Sequence, residues 1–219
     1  MRVVQHSWVM DDIYIARLDA LQETWQVWAQ LGADLTDEQW SRPTRCSGWD
    51  VAAVYTHHSE FPRALSAPPP MPADASNAVT AVEVLRRFNA PNGVAHTMAQ
   101  MVADQAISAA GQLTRSELVE RFAVHGPRAV HQLRHAAATT LVPWPASGAV
   151  VMLSEAMRIV VMEATVHLLD VQRALEHRPF VPTAALSDTT HLLAELAPAV
   201  EFIEAATGRS THLPLPLLR

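Results

Sequence analysis

Val160-Val161-Met162-Glu163-Ala164-Thr165-Val166-His167-Leu168-Leu169-Asp170 sits inside an apolar-periodic segment, roughly Val151 to Glu176, that no Gly or Pro interrupts. Leu153, Met157, Val160, Ala164, Leu168, Val171 and Leu175 recur in steps of three and four, the period of an α-helix with one buried face. Residues four apart on a helix stand one above the other. Glu163 and His167 therefore project side by side, and Asp170 follows one turn later on nearly the same line. A carboxylate and an imidazole so placed can bind one divalent metal, because each lends a lone pair from a rigid backbone. The same spacing also serves a surface pair or a hydrogen-bonded histidine. Polar groups beside a core stripe need partners, and a metal would satisfy both at once.

The pattern on either side is helical almost throughout. Tyr14, Leu18, Leu21, Trp25 and Trp28 form a seam in a helix predicted to start near Asp11 and Asp12 and to end at Gly32. At this spacing the two tryptophans suit core packing better than a ligand cage. Thr36-Asp37-Glu38-Gln39 and Thr114-Arg115-Ser116-Glu117 read as capping boxes, and Asp50 as an N-cap. The helix after Asp50 carries His57 and His58, buries Val51, Val54, Phe61 and Leu65, and ends or kinks at Pro62. Pro-rich Ser66 to Pro72 predicts an exposed connection.

Further helical patterns cover 74–88 and 94–110, the latter with Met98, Met101 and Val102 inward. The second capping box opens a helix bearing Leu118, Phe122, Val130 and Leu133, with an interruption expected at His125-Gly126-Pro127. Val142 to Gly148 reads as a loop and Arg178 to Pro182 as a break. A last helix is expected over about 187–207, with Leu192, Leu196, Val200 and Ile203 inward, before a Pro-rich tail at 209–219. No strand pair and no repeat stand out. The expectation is an all-α, up-and-down four-helix bundle with one or two additional short helices, one domain over 1–219.

Composition narrows the function. A net charge of −6 with scattered arginines argues against a nucleic-acid surface. No run of about 18 apolar residues is present, and the amino terminus does not read as a signal peptide, so no membrane and a cytoplasmic protein are expected. The single cysteine, Cys46, excludes an internal disulfide and a Cys-based zinc knuckle. All the basic residues are arginine, and eleven histidines are a ready reservoir of metal ligands. The sequence leaves room for a homodimer.

Arg42-Pro43-Thr44-Arg45-Cys46-Ser47-Gly48-Trp49-Asp50-Val51-Ala52-Ala53-Val54-Tyr55-Thr56-His57 resembles the amino-terminal signature of the mycothiol-dependent maleylpyruvate isomerase family, a branch of the DinB-like superfamily. In that family a Cys-x-Gly-Trp turn leads into a helix whose histidine, eight residues after the Trp, binds metal; here that position is His57. A later Glu-x-x-x-His followed by an aspartate three residues on is matched by Glu163, His167 and Asp170. The heptad Val51, Val54, His58, Phe61, Leu65 places His58 on the seam, so periodicity alone leaves the choice between the two histidines open. The resemblance favours His57. The full-length isomerases carry an additional carboxy-terminal domain, for which this chain is expected to have no room. The segment from Ser66 to His135 shows little match and is expected to help shape the substrate pocket.

The resemblance implies a DinB-like bundle with a divalent metal, usually Zn2+, held by His57, Glu163 and His167. Two imidazoles and one carboxylate leave a coordination position open, as in catalytic zinc sites. Such a site can hold a thiol as thiolate or generate hydroxide for hydrolysis. The resemblance points to the first, with mycothiol, a low-molecular-weight thiol of actinobacteria, as cosubstrate and a small electrophile as substrate. The product would be a cis-trans isomer or an S-transfer adduct; a metal-dependent hydrolase, or a binding protein that reuses the pocket, are the alternatives. Asp170 is then an acceptor for a ligand imidazole N–H. Arg158 is a candidate partner of Glu163 or of an anionic substrate, and Trp49 a candidate cofactor contact. His131 and His135 suit a solvated face. Cys46 is expected to pack under Trp49, and Trp144 to rim a pocket or plug the bundle end.

Overall fold

The computed structural model describes residues 2–67, 78–144, 148–212 and 215–218, with side chains from residue 11 onward. Four helical rods build the bundle: α1 (Arg2–Ala33), α3 (Val51–Leu65), the rod α7–α8 and α9 (Leu153–Ala174). The third rod runs α7 (Arg115–Glu120), a π-helical turn (Arg121–His125) and α8 (Gly126–Arg134), so the interruption expected at His125-Gly126-Pro127 is a widened turn and not a break. Shorter helices fill the connections: α2 (Asp37–Trp40), α4 (Ala81–Asn89), α5 (Val94–Thr97), α6 (Ala99–Ala110), α10 (Thr183–Leu196) and α11 (Ala199–Ala206). No described helix is long and apolar enough to cross a membrane.

Both capping boxes form, and the Asp50 side chain accepts from the Ala53 N–H at 2.8 Å to open α3. The whole α9 stripe from Leu153 to Leu175 is buried, as is the α1 seam from Tyr14 to Trp28. Trp28 stacks on Phe122 at 5.1 Å and meets Tyr55 edge-on at 4.7 Å. The polar ends of these rings tie the rods together. Trp28 Nε1 donates to the Ala164 carbonyl of α9 at 3.1 Å, Tyr55 Oη to the Trp28 carbonyl at 3.1 Å, and Tyr14 Oη to the Leu133 carbonyl at 3.0 Å. Arg17 forks onto Asp188 and also reaches the Ser154 carbonyl, fastening α10 over α1 and the start of α9.

The structure departs from the sequence reading in several places. The stretch taken as a loop at 142–148 contains strand residues: β2 (Leu141–Trp144) pairs antiparallel with β3 (Ala149–Met152), and β1 (Ala78–Val79) adds parallel to β3. Pro143 pairs with Val150 in a strand only four residues long, where the missing N–H costs little. α1 starts well before Asp11 and runs through Gly32 to Ala33, while α3 continues through Pro62 to Leu65. The 94–110 segment divides at Met98, and Met101 is exposed. The last helix divides at Pro198, which turns Val200 and Ile203 out to solvent at 65% and 59% exposure. The Pro-rich connection predicted for Ser66 to Pro72 lies outside the described residues beyond Ala67, and Ser66 itself is buried.

His58 is fully buried on the seam, accepting a hydrogen bond from Trp25 Nε1 at 3.2 Å. Burial first, then the positive potential of neighbouring imidazoles, pushes its pKa well below the ordinary imidazole value. The folded chain therefore resists a proton that the unfolded chain takes up below about pH 6.5, so stability falls as pH drops, by up to about 1.4 kcal/mol per pH unit. Denaturant titrations below about pH 6.5 should show that slope, and His58→Leu should flatten it. The same substitution should lower the plateau by about 1–3 kcal/mol, because the Trp25 N–H is left buried without an acceptor.

Candidate metal centre

The turn that precedes α3 sets the site's outer edge. The Trp49 N–H donates to the Cys46 carbonyl at 3.0 Å, and Gly48 between them has φ +80°. A side chain at that φ would be strained, which is why a turn with a left-handed third residue needs Gly. Thr44 locks the turn further, its hydroxyl donating to the Trp49 carbonyl and accepting from the Cys46 N–H. The Trp49 ring is thereby laid against His57, ring centres 4.9 Å apart, and near His167 at 6.1 Å.

Across from this turn, α9 presents Glu163 and His167. Glu163 Oε2 lies 3.3 Å from His167 Nε2 and 3.9 Å from His57 Nε2. One ligand atom from each of the three lies within 4.8 Å of the others. Ligand atoms about 2.1 Å from a tetrahedral zinc are about 3.4 Å apart, so the observed spacings bracket what such an ion needs. The donor set also suits it, two imidazoles and a carboxylate being common zinc ligands. The donor types and these separations suit a divalent metal. His58, the neighbour that periodicity could not separate from His57, faces the core instead.

His167 is held from its other side. Its Nδ1 lies 3.0 Å from Asp170 Oδ2, and Asp170 is itself gripped by Arg45 Nε at 2.5 Å and by Cys46 Sγ at 3.2 Å. Burial alone would lower the His167 pKa; the hydrogen bonds to Asp170, Cys46 and Glu163 outweigh it and hold the imidazole well above its ordinary value. Burial would likewise raise Glu163, but hydrogen bonds from His167 and His57 and their charges keep it well below the usual carboxylate range. Asp170 is lowered as well, burial being outweighed by His167, Arg45 and Cys46. A second group of metal-type donors, Cys46, His167 and Asp170, shares His167 with the first. Asp170 there already neutralises Arg45 and orients the ring, the usual arrangement behind a ligating histidine.

The sequence reading missed Arg45 and gave Cys46 only a packing role; no local pattern links either to a residue some 125 positions away. Arg158, by contrast, pairs with Glu195 at 2.6 Å and Glu155 at 3.5 Å, and not with Glu163. Its own helix and α10 supply those carboxylates, and the α10 contact has no sequence signature. His131 and His135 stack edge-on at 4.9 Å on an exposed face, without a carboxylate in the group.

A cavity of about 520 Å³ opens onto His57 and Glu163. Phe61 of α3, Phe88 of α4, Trp144 of β2 and Met157 and Val160 of α9 are among its walls, so Trp144 lines the pocket. Val102, Gln132 and Leu133 complete it from the 66–135 segment. A second, more polar hollow of about 570 Å³ is lined by Trp49 together with Ser41, Thr44 and Asp50.

Searches among curated proteins and among solved structures found no match to this chain. A family model does match, over residues 21–172, described as the mycothiol maleylpyruvate isomerase N-terminal domain. The matched span runs from α1 to near the end of α9 and contains the Cys46–Trp49 turn, His57 and the whole Glu163–Asp170 run. With more than half of its length matched and its helices packed as a bundle, the chain belongs to the mycothiol maleylpyruvate isomerase N-terminal domain family, a DinB-like family.

Proposed function

We propose that this chain holds one divalent metal, zinc by preference, between His57, Glu163 and His167, and uses it to activate a low-molecular-weight thiol for attack on an electrophilic carbon. The observation that carries this reading is the convergence of three ligand atoms from α3 and α9, within 4.8 Å of one another, on the edge of a cavity. The family's description as a mycothiol maleylpyruvate isomerase N-terminal domain supports mycothiol as that thiol. A metal in that position would act as a Lewis acid, lowering the pKa of a thiol so that it is ionised at neutral pH.

The chain's own residues do the rest. Asp170 takes the Nδ1–H of His167 and fixes which ring nitrogen faces Glu163. Arg45 and Cys46 hold Asp170 in place, so the ring cannot turn. Trp49, lying over His57, is the contact we assign to the thiol's carrier. The apolar walls exclude water from the carbon under attack. The thiol proton leaves to solvent, sulfur adds to one end of an activated double bond, and the π pair moves onto the conjugated acceptor. Rotation and expulsion of sulfur return the thiol and give the isomer; protonation instead leaves the S-adduct.

Elemental analysis of the purified protein should find about one equivalent of zinc per chain. His57→Ala, Glu163→Ala and His167→Ala should each lose it while keeping a helical circular-dichroism spectrum. His58→Leu should keep it, and full occupancy in any of the three alanine variants would refute the ligand assignment. Asp170→Asn, which retains shape but weakens the grip on His167, should reduce zinc affinity by about 10–100-fold in competition with a chromogenic chelator. Turnover of an activated alkene should need added thiol; turnover that is independent of thiol would assign the site to hydrolysis.

A further inference from the structure

We infer that the molecule attacked at this site is uncharged and apolar, with a hydrophobic body that fills the cavity beside His57 and Glu163. This rests on the reading above only for the end at which bonds change. The cavity, about 520 Å³, falls in the range of roughly 300–1,000 Å³ that receives whole small molecules. Its described lining is aromatic and aliphatic almost throughout; His57, Glu163, Gln132 and Asn89 are the polar exceptions, and no arginine is among the described residues that line it.

Four arginines on the surrounding helices are engaged elsewhere. Arg63 pairs with Glu60, Arg87 with Glu83, Arg134 with Asp19 and Arg158 with Glu195. A dicarboxylate in this cavity would therefore bury at least the carboxylate remote from the His57–Glu163 end with no described cation to meet it. A hydrocarbon body meets no such penalty. Met157 and Met162, which also line the cavity, are flexible enough to adapt to its outline. The reacting carbon then sits at the one polar end, and the apolar remainder determines which molecules are accepted.

Displacement of the neutral fluorophore N-phenyl-1-naphthylamine from the full chain tests this directly. The probe should brighten on binding, and linear alcohols from hexanol to decanol should displace it with about a fourfold gain per methylene. The diacids from adipate to sebacate should fail at about a hundredfold higher concentration. Ala136→Trp, at a partly buried wall position, should weaken probe binding about tenfold or more; the alcohol–diacid comparison uses the unaltered chain and stands if that variant misfolds. A probe that does not bind, alcohols without chain-length dependence, or diacids as effective as alcohols would each overturn the inference. Titrations on zinc-loaded and chelator-treated protein separate the two readings. An apolar preference without zinc or thiol-dependent turnover removes only the metal assignment, and turnover without that preference removes only this one.

Discussion

Burying ionisable groups on a central helix is the constraint from which the rest of this molecule follows. α9 packs against α1, α3 and α10, and most of its residues are buried. It nevertheless carries a buried Asp170 and a half-buried Glu163 and His167, where an unpaired charge would be costly. Each charge is therefore answered by a neighbour on another element. His57 on α3 faces Glu163, and Arg45 and Cys46 from the loop before α3 face Asp170. His167 lies between the two carboxylates with one ring nitrogen toward each. The loop and α3 must dock in one register for all these pairs to close, which makes the Cys46–Trp49 turn as important to the site as the ligands themselves.

The hydrogen bonds that hold the rods at fixed rotation serve the same end. Trp28 reaches the Ala164 carbonyl, the residue directly after Glu163, and so fixes the azimuth of α9 where the site is built. Tyr55, two residues before His57, is tied back to the Trp28 carbonyl. One buried residue of α1, through its indole and its carbonyl, thus references both ligand-bearing helices. Because interiors pack as densely as crystals, a small rotation of either helix would be felt at once in the spacing of the three ligand atoms.

How much of this was legible in the sequence depends on how local each feature is. The α9 stripe, the α1 seam, both capping boxes and the Asp50 cap are written in neighbouring residues, and all appear. So is the Glu163–His167–Asp170 run, whose geometry needs only the helical repeat. The choice of His57 over His58 was not legible from periodicity, since both lie on one short amphipathic helix; the family signature separated them, and the structure sends His58 to Trp25. Arg45, which meets Asp170 across 125 residues of chain, has no local signature at all. The β2–β3 pairing was hidden because Pro143, Pro145 and Gly148 read as punctuation. The break at Pro198 was overridden in the reading by an apolar rhythm that continues into α11 although its Val200 and Ile203 face water.

The π-helical turn at Arg121–His125 has a consequence of a different kind. Such a turn is what remains when one residue is inserted into an α-helix that cannot afford to shift its far half. Here it keeps Phe122 stacked on Trp28 and still brings Gly126 against Trp25, where a Cβ would come within 3.2 Å of the indole. Wound as an ordinary α-helix, the same residues would rotate everything after the turn by about 100°. Gln132 and Leu133 would leave the cavity wall and Gly126 would lose its indole. The widened turn thus lets this rod carry one residue more than an α-helix would, and it sets the pocket wall beyond it without lining the pocket itself.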